Sequence, residues 1–148
     1  MELEFEEKYK KELFAMESAI VSIYEDHPQM ADYSVMEALD NLIRGYEAES
    51  NGRVASSRRM EPLDQQIYKK VGAICEMLMH RGKLVDEDGN DVSLSELSAD
   101  ELALVPPNFP AITLEEVLAC LKRIRKSVTR WNKANGRRGY LDFVQEYL

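Results

Sequence analysis

The chain holds 148 residues, 45% hydrophobic and 31% charged, proportions that fit a folded globular protein and argue against disorder over most of its length. Its 27 acids outnumber its 19 bases, and the net charge of −8 disfavours general nucleic-acid or anionic-membrane binding while favouring solubility. No apolar run approaches the roughly 18 residues of a membrane span, and the acidic opening MELEFEEKYKKE lacks the apolar core of a secretion signal, so a cytoplasmic location is expected.

Residues 2–26 read as a first helix. Phe5, Tyr9, Leu13, Met16, Ile20, Ile23 and Tyr24 recur at helical steps, and Phe14 with Val21 widens their stripe to nearly half the circumference. A stripe that wide implies more than one neighbour, within the chain or across a dimer. His27-Pro28 ends the helix, because the residue before proline is pushed out of the α region.

A second helix is predicted from Asp32 or Ser34, with Ser34 and Glu37 spaced as a capping box. Val35, Leu39, Leu42, Ile43 and Tyr46 face one way; Glu37, Asp40 and Arg44 face the other. Asp40 and Arg44, four apart, suit a weak surface ion pair. Gly45 lies inside the pattern, where a glycine permits a close helix crossing, and Asn51-Gly52 stops the helix.

After the polar, basic link at 51–61, Pro62 suits the first turn of a third helix. Its buried face is Leu63, Ile67, Val71, Ile74, Met77 and Leu78, and His80-Arg81-Gly82 closes it. Lys83-Leu84-Val85 and Val92-Ser93-Leu94 then flank an Asp88-Gly89 turn signal, which predicts a hairpin or a loop insert near residues 83–94. A short helix from Ser98 to Val105 and the extended connector PPNFPAI lead to the longest element.

That element runs from Thr113 to Ala134. Thr113 and Glu116 make a capping box, and Leu114, Val117, Leu118, Leu121, Ile124, Val128 and Trp131 make its stripe. A short closing helix is predicted over residues 139–148. Cys75 and Cys120 both fall near apolar stripes, and two distant cysteines read as reduced core thiols rather than a disulfide framework.

Charge comes in alternating blocks. Residues 1–50 carry 13 acids and 4 bases, residues 51–85 carry 3 and 7, residues 86–118 carry 9 and none, and residues 119–148 carry 2 and 8. Blocks of opposite sign can dock on one another within the fold or between subunits.

The candidate chemistries are sparse. DEDGND fails as an EF-hand, because Gly89 in sixth place would put Leu84 and Ser95 where carboxylates are required. Glu37 and Asp40 form an E-x-x-D pair of the kind that holds magnesium in all-α nucleotide pyrophosphohydrolases. The upstream pair such a site needs would have to come from Glu4 and Glu7, at a chain end, so a solvated face is the better reading. His27 and His80 sit at helix ends without ligand-spaced partners, which suits capping or dipole roles better than zinc. On the long helix Lys122, Lys126, Arg130 and Lys133 share a face opposite the stripe, and Arg137-Arg138 follow. With Trp131 and Tyr140 nearby, this region resembles a phosphate-ligand or nucleic-acid site in composition, although a solvated basic face is the commoner cause. Arg125 is exceptional in lying within the apolar arc, a position from which it can snorkel, pair with a buried carboxylate or meet a partner molecule.

These patterns predict a single all-α domain over residues 1–148. The expected architecture is an antiparallel helical bundle of four main helices, with a short C-terminal helix and the 83–94 insert. The expected role is a non-enzymatic interaction or regulatory module without a cofactor, homodimeric through the first helix or bound to a protein partner. The alternatives are phosphate-ligand or nucleic-acid binding through Arg125, Arg130, Lys133, Arg137 and Arg138, and a magnesium-dependent nucleotide hydrolase on Glu37 and Asp40.

Overall fold

The structure, a computed structural model, describes residues 2–27, 32–53, 60–80, 84–85, 91–92 and 110–135. Within them the chain forms an all-α bundle of five helices: α1 (Glu2–Lys8), α2 (Lys10–Asp26), α3 (Asp32–Ser50), α4 (Pro62–Leu78) and α5 (Leu114–Asn135). A minimal antiparallel ladder, β1 (Leu84–Val85) with β2 (Asp91–Val92), pairs Leu84 with Val92 and Val85 with Asp91. The predicted insert is thus a hairpin. Its turn, the helix predicted from Ser98, most of the proline connector and the closing helix lie outside the described residues.

The first predicted helix divides at Tyr9, whose φ of −110° and ψ of 25° leave the helical range. Backbone bonds nevertheless bridge the break, from Tyr9 N–H to the Phe5 carbonyl and from Leu13 N–H to the Tyr9 carbonyl. The axis therefore bends rather than ends, and Tyr9 turns inward to become buried. Beyond it α2 is heavily buried: Leu13, Ala15, Met16, Ala19, Ile20, Val21, Ile23 and Tyr24 are all covered. His27 caps its C-terminus, donating its N–H to the Ile23 carbonyl.

The caps follow from local chemistry. At α3, Gly52 N–H bonds the Glu49 carbonyl and Arg53 N–H bonds the Ala48 carbonyl at 2.7 Å, the two bonds of a Schellman ending. Gly52 supplies the required positive φ of 69°. Pro62 occupies the first turn of α4, as predicted. At the other end of α4 the left-handed residue is His80, with φ 57°. At α5 the capping box is complete: Thr113 Oγ1 accepts from Glu116 N–H at 3.1 Å, and Glu116 Oε1 accepts from Thr113 N–H at 3.0 Å.

Two local expectations change. Ser34 is not the cap of α3, which starts at Asp32; its side chain hydrogen-bonds Asp64 of α4 instead. Gly45 does not mark a close crossing, since a Cβ there would meet nothing within 4 Å. The close approach is at Gly72, where an added Cβ would lie 3.3 Å from Leu42 Cδ2.

The core joins the inner faces of α2, α3, α4 and α5 in one cluster. Helix α4 packs broadly on both α2 and α3, α3 packs broadly on α5, and α5 touches α2 more lightly. Contacts fix two helix directions. Met36, Asp40, Glu47 and Ser50 of α3 meet Thr129, Arg125, Lys122 and Glu115 of α5 in reverse order, so this pair is antiparallel. By contrast, Ser34 meets Asp64 and Leu42 meets Gly72, so α3 and α4 run the same way. A bundle with every neighbour antiparallel is therefore not what forms. The link at 51–61 permits the return, because a chain extending about 3.3–3.6 Å per residue outreaches the roughly 25 Å of helix alongside it.

Candidate functional site

The basic face of α5 is the first place to look for a ligand, and the fold spends much of it internally. Lys122 Nζ lies 2.9 Å from Glu47 Oε2, and Arg125 Nε lies 2.6 Å from Asp40 Oδ1. Arg123 pairs with Glu6 of α1 and also donates to Ser127 Oγ at 3.0 Å. All three pairs join the acidic block of residues 1–50 to the basic block of residues 119–148. Block-to-block docking within one chain is thus realised. Pairs as exposed as Lys122–Glu47 and Arg125–Asp40 contribute only about 0.2–1 kcal/mol each, so they select helix neighbours more than they stabilise them.

Arg125 resolves its own anomaly this way. Its stem leaves the apolar arc, and the guanidinium reaches the α3 carboxylate at the surface. The same contact changes the magnesium alternative, because Asp40 now faces a guanidinium. Arg130 is exposed on α5 and has contacts of its own. Lys133 belongs to α5, but its side chain and that of Trp131 lie outside the described residues, as do Arg137 and Arg138. The structure therefore places Arg125 with Asp40.

Glu37 has a different neighbour. Asp64, three residues into α4, is 5% exposed and faces Ser34, Glu37 and Glu61. Burial raises its carboxyl above the ordinary 3.8, the Ser34 hydroxyl partly offsets this, and the nearby Glu37 and Glu61 charges add to the rise. Among the described residues, no three His, Cys, Asp or Glu side chains group as a metal site requires. Sequence reasoning missed Asp64 because an acid near a helix N-terminus is the commonplace arrangement there.

The raised Asp64 carboxyl has a stability consequence. Its neutral form is favoured on folding, so its contribution is fullest below about 3.8 and is lost as pH rises through the higher folded value. Asp64→Asn keeps an acceptor for Ser34 without the charge. Urea unfolding should show the variant gaining on the parent from acid to neutral pH; a gap that stays constant would contradict the burial argument.

Cys75 and Cys120 are buried free thiols. Burial raises Cys75 well above its ordinary value, with Glu76 and Cys120 adding, and raises Cys120 to about 12. Neither is poised as a nucleophile at neutral pH.

The remaining feature is the outer edge of α2. Lys11, Phe14, Ser18, Val21 and Glu25 step by three and four along one line. Lys11 and Glu25 are exposed, Ser18 is half-buried, Val21 is nearly covered, and Phe14 is 39% exposed. Phe14 and Tyr33 are the large apolar side chains left exposed among the described residues. The width of the α2 stripe is thus mostly consumed by α4, α5 and α1, with Phe14 left over. No protein-family model, curated protein or solved structure matches the chain.

Proposed function

We propose that the chain is a non-enzymatic interaction module that associates with a second copy of itself through the outer edge of α2. The observation that carries this reading is Phe14, a large apolar side chain standing exposed on the most deeply packed helix of the bundle. Exposed aromatics rimmed by polar residues favour protein contacts, since a ring buries much area at little conformational cost. The internal pairing of Lys122, Arg123 and Arg125 supports the same reading, because those charges are already engaged with acids of α1 and α3.

Sedimentation velocity from micromolar to millimolar protein tests it. The parent chain should pass from monomer to dimer with concentration. Phe14→Asp should weaken the dimer about thirtyfold or more, as expected when an interface anchor worth about 2 kcal/mol is lost. Its far-UV circular dichroism should be unchanged. A parent that is monomeric throughout, or a dimer indifferent to Phe14→Asp, rejects the proposal.

A further inference from the structure

We infer that the two copies meet with their α2 helices antiparallel, about a two-fold axis passing beside Ser18. This rests on the self-association just proposed and adds its geometry. The line Lys11, Phe14, Ser18, Val21, Glu25 has the three-four spacing of a helix–helix seam. It is also electrically two-ended. Lys10 and Lys11 stand exposed at its start, and Glu25 and Asp26 stand exposed at its finish. Lys11 and Glu25 are equally far from Ser18, seven residues on either side, or about 10 Å along the axis.

A two-fold axis at Ser18 carries each copy's Lys11 to the other's Glu25, and does so twice. It also carries Phe14 to the stretch around Val21 and Ser22 of the other copy, where the half-buried Ser18 and Ser22 leave room for the ring. This is the self-complementarity an isologous contact requires. A parallel pairing would set Lys11 against Lys11 and Glu25 against Glu25, so like charges select against it.

A second observation points the same way. Glu25 and Asp26 occupy the last turn of α2, which contains no base, so they lie against the negative end of the helix dipole. Among the described residues, Lys10, Lys11, Glu25 and Asp26 enter no ion pair. Acids so placed gain nothing from their own helix, and an antiparallel copy supplies both the missing lysines and an opposed dipole. The seam spans about four turns, so the interface belongs to the small, transient class and should dissociate readily on dilution.

Charge exchange tests the geometry. Two variants are made in the full chain, K10E with K11E, and E25K with D26K, and each is examined alone and in equimolar mixture by sedimentation velocity. Each alone should self-associate about tenfold or more weakly than the parent, because attraction at both ends becomes repulsion. Their mixture should regain parent-like association, and the chain carrying all four changes should do so as well. Neither change opposes the α2 dipole, so melting temperatures measured in dilute protein confirm that the bundle is intact. A dimer sensitive to Phe14→Asp but unmoved by either charge reversal, or a mixture that fails to recover, overturns the antiparallel seam and leaves self-association standing. A parent that never dimerises removes both.

Discussion

Replacing Leu121 by alanine is expected to lower the stability of the chain by about 3–5 kcal/mol, the cost of removing a fully buried leucine from a site that cannot collapse. Leu121 is 0% exposed and lies midway along α5, between Val117 and Leu118 on one side and Ile124 and Val128 on the other. Helix α5 is tied to its neighbours along much of its length, by Tyr9 to Glu116 and Ser50 to Glu115 near its start and by Lys122 to Glu47 and Arg125 to Asp40 further on. The helix therefore cannot slide inward to fill the lost volume. Against a total of about 5–15 kcal/mol for a domain, the change is large enough to see in any equilibrium unfolding experiment. Urea denaturation should give a lower midpoint with an unchanged slope. Phe14→Ala, at 39% exposure, should cost under about 1 kcal/mol in dilute protein. Equal losses at the two positions would mean that α5 is not packed as described.

That contrast also marks how far the sequence could be read. The stripes of α3 and α4, that of α5 as far as Val128, the Thr113 box and the Gly52 ending are all local patterns, and each is where its periodicity or turn chemistry puts it. What failed depends on which helix faces which. Ser34 has the spacing of a cap, but the hydroxyl finds Asp64 because α4 starts beside it. Gly45 and Gly72 look alike in sequence, and only the packing of Leu42 against α4 decides which one marks a close approach. Helix direction is equally non-local: nothing in a stripe states whether its neighbour runs with it or against it. Tyr9 breaks a run whose apolar spacing is unbroken. Arg125 lies in the apolar arc by its spacing, but nothing local names Asp40 of α3 as its partner. Charge blocks allow α5 to meet acids within the chain or between subunits, and do not say which.

Sign and distance thus work together in this bundle. The block pattern makes docking of residues 119–148 on residues 1–50 favourable at long range, and the stripes then set the register at contact. Three pairs that are individually weak fall on one side of α5 toward α3 and on the other toward α1, so together they orient the helix about its own axis. The apolar stripe alone tolerates some rotation; fixed charges on both flanks do not.

The contact that ties α1 to α5 should show this most clearly. Tyr9 is 8% exposed, its ring lies 4.8 Å from that of Phe5, and its hydroxyl donates to Glu116 Oε2 at 2.5 Å. Tyr9→Ala removes the ring and the bond together and should cost about 3 kcal/mol. Tyr9→Phe keeps the ring and should cost about 1–2 kcal/mol, the range for a hydrogen bond to a charged acceptor. The smaller variant carries a pH signature. Tyr9 first, then the Thr113 backbone, holds the Glu116 carboxyl below its ordinary 4.5, so the folded state prefers the carboxylate. That contribution is present above about 4.5 and is lost as pH falls through the lower folded value. The Tyr9 hydroxyl moves the other way, raised above 10.0 by its bond to Glu116 and then by burial, so its contribution is lost only as pH rises beyond 10.0 through that raised value. The gap between parent and Tyr9→Phe should therefore be widest from mildly acid to mildly alkaline pH and close in acid, while the ring's share of the Tyr9→Ala loss persists there. Unfolding midpoints for the three proteins across the acid range separate the two parts. A Tyr9→Phe gap that survives full protonation of Glu116 would show that the hydroxyl stabilises the bend in α1 and α2 by some route other than this carboxylate.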